Sequence, residues 1–319
     1  MSIITPAFNA EPYIRETIES VLGQTYEHIE YIVLDDGSTD NTHRIAEQYS
    51  PRIRLVRHEN MGEARTVNRG YGLAHGDIIS VINADDTYAP EVVEKVVQFL
   101  ENRKDVLVAY FDWATIDSKS NVIDTVRVPE FNYLHMVRRH HCITPAWAFM
   151  RKEALSVADG RDPQFKYVGD FDYWLRLGLH CVFARVPSKA PLAFFRVHPD
   201  SASVSKRGAV MASEHIRLMQ KFYSRPDLPP EVRKVHAEAY SWAYSEAAVT
   251  CATERWRAGQ YLLKSALYHP QGYLLDPDRV VALSQLVLPK PLYSLLIKVW
   301  RITRPILAKG RWLIRRILI

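Results

Sequence analysis

Cysteine is scarce: Cys142, Cys181 and Cys251 are the only three in 319 residues, far apart and in no metal-ligand spacing. A disulfide framework and a cysteine-built zinc site are excluded, and the thiols read as buried or free groups in a reducing compartment. The amino terminus, Met1-Ser2-Ile3-Ile4-Thr5-Pro6, lacks the basic start, long apolar core and cleavage site of an export signal, so none is expected. No Gly-x-Gly-x-x-Gly motif follows the first apolar run and no Gly-Lys-Ser/Thr loop occurs, which argues against a dinucleotide or P-loop site. Residues 289–319 have no acid: they hold eight basic residues, and with +5 on the whole chain the remainder carries −3. Inference about acidic partners is thus confined to this tail.

What is present is 47% hydrophobic and 24% charged, enough for one large globular domain and a smaller one. The first third alternates strand and helix signals. Strands are expected over 2–5, 29–34, 53–57 and 77–83, with Pro6 stopping the first. Helices are expected from residue 9 or 10 to about 24, from the caps Ser38 and Asp40 to about 49, and over 63–74. Repeated strand-helix units of this length predict an α/β fold with a doubly wound, mostly parallel sheet flanked by helices.

Two of the strands run into acidic pairs, Asp35-Asp36 and Asp85-Asp86. Parallel strands bring their carboxyl ends to one edge, where open α/β sheets bind ligands, so both pairs are expected to line one crevice. Adjacent carboxylates repel each other unless a cation or a hydroxyl lies between them, and hard oxygen ligands suit Mg²⁺ or Mn²⁺. Each pair alone also fits a turn that caps the next helix. Arg65 and Asn68 lie three residues apart on one face of the third helix.

The segments Ser2-Ile3-Ile4-Thr5-Pro6-Ala7-Phe8-Asn9, Ile32-Val33-Leu34-Asp35-Asp36-Gly37-Ser38, Asn68-Arg69-Gly70 and Asn83-Ala84-Asp85-Asp86, in this order, resemble a family 2 glycosyltransferase with the GT-A fold. The resemblance covers roughly residues 1–200 and implies a nucleotide-sugar donor, usually a UDP-sugar, and a divalent metal, Mg²⁺ or Mn²⁺. Position by position it implies that Thr5, Pro6 and Ala7 border the nucleotide, that Asp36 accepts from the base imide, and that Asp85 holds the ribose. Asp86 would hold the metal, and Arg65, Asn68 and Asn83 fall in the donor-binding segments. Gly169-Asp170-Phe171-Asp172-Tyr173-Trp174-Leu175-Arg176 resembles the family's acidic motif, in which Asp170 or Asp172 supplies the general base; Asp170 is the expected one. Arg196-Val197-His198 resembles the segment that closes the catalytic domain, and it implies that His198 reaches the metal or the diphosphate.

The implied reaction is transfer with inversion to an acceptor hydroxyl, in cell-surface glycan or polysaccharide synthesis. Alternatives are a sugar-phosphate nucleotidyltransferase, whose glycine-rich basic loop residues 5–12 lack, and a non-catalytic binding subunit. Acceptor contacts are expected from His140, His141 and Trp147, because sugars pack on aromatic faces and imidazoles bond hydroxyls. The catalytic domain is expected over 1–205, a helical appendage over 206–288 and a basic amphipathic tail over 289–319. Tryptophan-bearing and cationic, the tail suits the headgroups of an anionic membrane, which predicts a cytoplasmic, peripheral enzyme acting on a glycan or lipid-linked acceptor. Nucleic acid is not expected, since no aromatic platform adjoins the basic residues.

Overall fold

A computed structural model describes residues 1–199, 201, 208–270, 291, 292 and 295. Its strands, in chain order, are β1 (Ser2–Ala7), β2 (Glu30–Asp35), β3 (Arg54–Arg57), β4 (Ile78–Val81), β5 (Thr87–Tyr88), β6 (Val106–Tyr110), β7 (Trp113–Ile116), β8 (Val122–Val126), β9 (Phe149–Arg151), β10 (Val182–Arg185) and β11 (Ala193–Arg196). The helices that position the site are α1 (Ile14–Leu22), α2 (Thr42–Glu47), α3 (Glu63–Leu73), α4 (Val92–Asn102), α5 (Tyr133–Arg139) and α6 (Gly169–Gly178).

One unit comprises residues 1–137, 141–206 and 220–232. Its main sheet has the order β10-β6-β9-β4-β1-β2-β3, parallel except for β9, which runs antiparallel between β4 and β6. β1, β2 and β4 are buried apolar runs because helices cover both faces, while β3, at the sheet edge, has exposed arginines at both ends. Ile14, Ile18 and Val21 of α1 and Val92, Val93, Val96, Val97 and Leu100 of α4 recur at helical spacing and join the core. α3 lies so close to β1 that a Cβ on Gly70 would sit 2.5 Å from Ile4 Cγ2.

Two expectations need correction here. β1 continues through Pro6 rather than stopping before it. Ile4 O accepts from Ile82 N–H on the β4 side and Ala7 O from Asp36 N–H on the β2 side, so the nitrogen of Pro6 points toward β4. The β4 ladder ends at Ile4, and the missing N–H removes no ladder bond. A second, four-stranded sheet, β5-β11-β7-β8, was not expected; it ties the segment after Asp85-Asp86 to the strand that contains Arg196.

The other unit comprises residues 138–140, 207–219 and 233–319. Two further helices are α7 (Ala209–Tyr223) and α8 (Pro230–Lys234). In this unit α9 (His236–Thr250) and α10 (Arg255–Tyr268) share a cluster of small residues with α7: Ala212 of α7, Ala247 and Ala248 of α9, Cys251 just after it, and Ala258 of α10. Ser241 donates to Ser265 O at 2.7 Å and Ser265 returns a bond to Ser241 O, so each helix uses the other's carbonyl. The expected division at residue 205 differs from these units, because 220–232 packs within the first. Apart from residues 291, 292 and 295, the basic tail lies outside the described residues.

Candidate active site

The two acidic pairs leave the sheet at the carboxyl ends of β2 and β4, on either side of β1. In neither pair do the carboxylates share a site. Asp35, fully buried, accepts from Ser38 N–H at 2.8 Å, and its other oxygen lies 3.1 Å from His43 Nδ1 and 3.2 Å from Arg57 Nε. Asp36 accepts from Met61 N–H at 2.7 Å and Gly62 N–H at 3.0 Å. The backbone N–H groups just ahead of α3 have no helical partner, and a carboxylate there meets them and the positive end of the helix dipole. Asp36 therefore fastens the 58–62 loop to the end of β2.

Asp86 is also turned inward. Its Oδ1 accepts from Arg196 N–H at 2.9 Å and its Oδ2 from Asn83 Nδ2 at 3.0 Å. Burial, and then the charge of Asp85, push its carboxyl well above the usual carboxylate range. Asp85 is the open member of the pair, its side chain about 30% exposed, with Oδ2 3.1 Å from His198 Nε2. The His198 ring lies against the Tyr13 ring, centroids 4.5 Å apart, and its buried Nδ1 has no hydrogen-bond partner among the described residues. The sequence expectation gave the metal to Asp86 and the ribose to Asp85. The geometry turns Asp86 into an internal brace and leaves Asp85 facing the histidine.

Arg196 secures this corner. Its side chain is buried, and it donates to Asp85 O at 2.8 Å, Ser120 Oγ at 2.9 Å and Glu16 Oε2 at 2.6 Å. β11 carries it there by pairing with β5, the two-residue strand that follows Asp86.

A divalent cation fits Asp85 and His198 on one geometric count: two ligand atoms at about 2.1 Å and a right angle stand about 3.0 Å apart, close to the separation seen. Among the described residues no group of three or more His, Cys, Asp or Glu side chains is arranged to hold a metal. Mg²⁺ and Mn²⁺ sites that use one or two carboxylates complete their shell with phosphate oxygens and water; this pair offers one carboxylate and an imidazole nitrogen.

Asp170 and Asp172 occupy the first turn of α6 and have opposite fates. Asp172 is buried, with Oδ2 2.9 Å from Arg176 Nε and Oδ1 2.7 Å from Lys221 Nζ. Asp170, partly exposed, accepts from Phe171 N–H at 2.7 Å and from its own backbone N–H. Burial raises its carboxyl above the ordinary range, and the Arg161 guanidinium opposes that rise.

The remaining expected residues divide as follows. Thr5 points into the core, 3.0 Å from the Tyr31 hydroxyl; Ala7 is buried as well, and Pro6 is partly exposed. Asn83 braces Asp86. Arg65 is exposed and donates to Met61 O. Asn68 clamps Arg161: Oδ1 accepts from Arg161 N–H and Nδ2 donates to Arg161 O, both at 2.7 Å. Trp147 is a core residue, stacked on Phe195 at 5.9 Å and edge-on to Trp113, and His140 is buried in the other unit beside His215, so neither is the exposed sugar contact expected. His141 is exposed. Sequence reasoning missed Arg161, Glu63 and Lys221, whose partners lie 49 to 98 residues away and leave no local pattern. An open cleft of about 490 Å³ lined by Gly37, Arg57, His58, Glu59 and Asn60 lies beside the ends of β2 and β3 and contains none of Asp85, His198 or Asp170.

Residues 2–157 match the profile described as glycosyl transferase family 2. An uncharacterized glycosyltransferase of Rickettsia prowazekii is 33% identical over 191 residues, which cover 55% of this chain and 58% of that protein. The chain thus spans little more than half the length of this relative. Among solved structures, residues 1–349 of S. aureus TarS in complex with UDP-GlcNAc superimpose with a TM-score of 0.59 at 16% identity, over 84% of this chain and 88% of that TarS fragment. The mannosyltransferase PcManGT from Pyrobaculum calidifontis, in complex with GDP-Man and Mn²⁺, gives a TM-score of 0.58 at 15% identity, over 95% and 79%. At such identities the likeness establishes the fold, which is of the GT-A type. Through residues 2–157 the chain belongs to glycosyl transferase family 2.

Proposed function

We propose that the first unit transfers a sugar from a nucleotide-sugar, a UDP-sugar, to an acceptor hydroxyl of a glycan or lipid-linked glycan, with inversion. The observation that carries this reading is the division of labour among the acids: Asp35, Asp36, Asp86 and Asp172 are engaged by internal donors, while Asp85 and Asp170 stay open.

Asp85 and His198 would hold Mg²⁺ or Mn²⁺, which supplies neutralisation of the charge that develops on the departing diphosphate. Asp86, Asn83 and Arg196 keep Asp85 in place. Pro6, Ala7 and the 58–62 loop fastened by Asp36 border the nucleotide, and Arg65 and Asn68 contribute from α3 outside direct contact. Asp170 accepts the acceptor hydroxyl's proton as that oxygen forms its bond to the anomeric carbon and the bond from that carbon to the diphosphate oxygen breaks. One displacement inverts the anomeric centre. UDP-GlcNAc bound to TarS supports the UDP donor, and Mn²⁺ in PcManGT supports the metal.

Among the described residues no helix is long and apolar enough to cross a membrane. The basic tail is proposed to hold the enzyme peripherally on the cytoplasmic membrane face. The test of the reaction is UDP release from a panel of UDP-sugars with Mn²⁺, Mg²⁺ or EDTA. Metal-dependent release from one sugar, lost in Asp170→Asn, supports the transferase; nucleotide binding without turnover would favour a non-catalytic subunit.

A further inference from the structure

Helix α10 buries one side and leaves the other bare. Ala258 and Ser265, seven residues apart, are fully buried within the helical unit, where Ser265 exchanges hydrogen bonds with Ser241. On the opposite side Trp256, Leu263 and Leu267 are 81%, 63% and 70% exposed. At 3.6 residues per turn these three fall within about 40° of one another and form a ridge along about three turns of the helix. Beside it, nothing lies within 4 Å of the place a Cβ would take on Gly259, so this flank is open among the described residues.

The charge around the ridge suits an anionic surface. α10 holds Arg255, Arg257 and Lys264 and no acid, and helical geometry puts Arg255 on one flank and Arg257 and Lys264 on the other. Glu254, just before the helix, pairs with Arg257 at 2.6 Å, and Lys264 lies over the Tyr244 ring, 5.7 Å from its centroid. Long basic side chains beside an apolar stripe lay their stems along it and keep their charge at lipid headgroups, and tryptophan favours the same boundary. Leu292 and Leu295, at the head of the basic tail, are exposed and belong to the same unit. A protein partner is the poorer occupant: a stable interface takes about 800 Å² from each side, and three side chains, none larger than the about 250 Å² of an aromatic, do not supply it alone. A bilayer sets no such threshold, since each apolar side chain that enters adds to the attraction of the cations.

We propose that the Trp256-Leu263-Leu267 face of α10 inserts into the headgroup region of an anionic membrane, as a second point of attachment besides the basic tail. The inference extends the peripheral placement proposed above and is independent of the transferase reading. Its test is co-sedimentation of the full-length protein with vesicles rich in phosphatidylglycerol. The triple variant Trp256→Gln, Leu263→Gln, Leu267→Gln, which alters no charge, is expected to bind about tenfold more weakly or worse. Its melting temperature and its UDP release from a soluble donor are expected to be unchanged. In Trp256→Phe, binding is retained, and quenching of tryptophan fluorescence by lipids with brominated acyl chains falls; this second measurement decides the matter if the triple variant does not fold.

Wild-type binding by the triple variant, or unchanged quenching in Trp256→Phe, would overturn the insertion of α10 and leave the tail proposal standing. Binding that survives deletion of residues 289–319 and is lost in the triple variant would remove the tail and place the attachment on the ridge. A lipid-free dimer in sedimentation velocity that the triple variant loses would assign the face to a second copy, and tighter vesicle binding after tail deletion would assign it to the tail; either overturns the proposal. No binding by wild type, or equal binding to phosphatidylcholine vesicles, would overturn both attachments.

Discussion

The Nε2 atom of His198 lies 3.1 Å from Oδ2 of Asp85, while neighbouring Asp86 faces the interior and receives the Arg196 N–H. Two adjacent acids thus have separable duties. Asp85→Asn is expected to lose metal-stimulated UDP release by roughly 100-fold or more with an unchanged melting temperature. Asp86→Ala is expected to lose about 2 kcal/mol of stability, because the Arg196 N–H and Asn83 amide lose their acceptor. Thermal melts and release assays on the two variants check the division; equal activity loss without destabilisation in Asp86→Ala would contradict it.

The first turn of α6 gives a parallel contrast. Asp170→Asn is expected to reduce turnover by about 10²- to 10⁴-fold with little change in stability. Asp172→Ala is expected to cost about 3–5 kcal/mol, since it strands Arg176 in a largely buried site. Denaturant unfolding of both proteins distinguishes the two roles.

The pH dependence of kcat/KM follows from the same acid. A base works only when deprotonated, and burial raises the Asp170 carboxyl, so activity falls as pH drops through a value above that of an ordinary aspartate. The acid limb is expected to vanish from the residual activity of Asp170→Asn.

In the helical unit, His140 Nε2 lies 2.9 Å from His215 Nδ1, and burial lowers His215 to about 4. Between that value and the ordinary histidine value the unfolded chain binds the proton and the folded chain does not, so stability rises with pH across this window and is lost on acidification. From pH 7 to pH 5 the loss is about 2 kcal/mol. Hydrogen exchange of the α9 amides at the two pH values measures it, and His215→Gln is expected to flatten the difference.

For the tail, deletion of residues 289–319 is expected to abolish salt-sensitive binding to vesicles rich in phosphatidylglycerol, with each basic residue contributing about 1 kcal/mol near the surface. Undiminished sedimentation of the shortened protein with such vesicles would refute peripheral attachment through this segment.

The parallel strands were legible because β1, β2 and β4 are apolar runs followed by polar turns, and their order forces a shared carboxyl edge. Strands near β8 and β9 were legible as short strand signals over 122–128 and 146–150, but the antiparallel place of β9 and the existence of the second sheet were not, because strands of two to five residues carry too little periodicity and their pairing joins distant segments. Asp85 and Asp86 are chemically identical in sequence; which one turns inward depends on an N–H supplied 110 residues later. Asn68 was visible as a motif residue, yet its use as a clamp needed a partner 93 residues away. Asp172 was separable from Asp170 in part by its spacing to Arg176, and the rest of the distinction came from Lys221.

The long reach of Arg196 bears on how the enzyme is made. A nascent chain released as far as residue 157 already contains both acidic pairs and the whole family-matching stretch, but neither β11 nor the N–H that receives Asp86. The corner around Asp85 therefore cannot close during synthesis of that stretch, and closes only after β11 emerges to pair with β5 and β7. The corner proposed to hold the donor is thus completed late in translation.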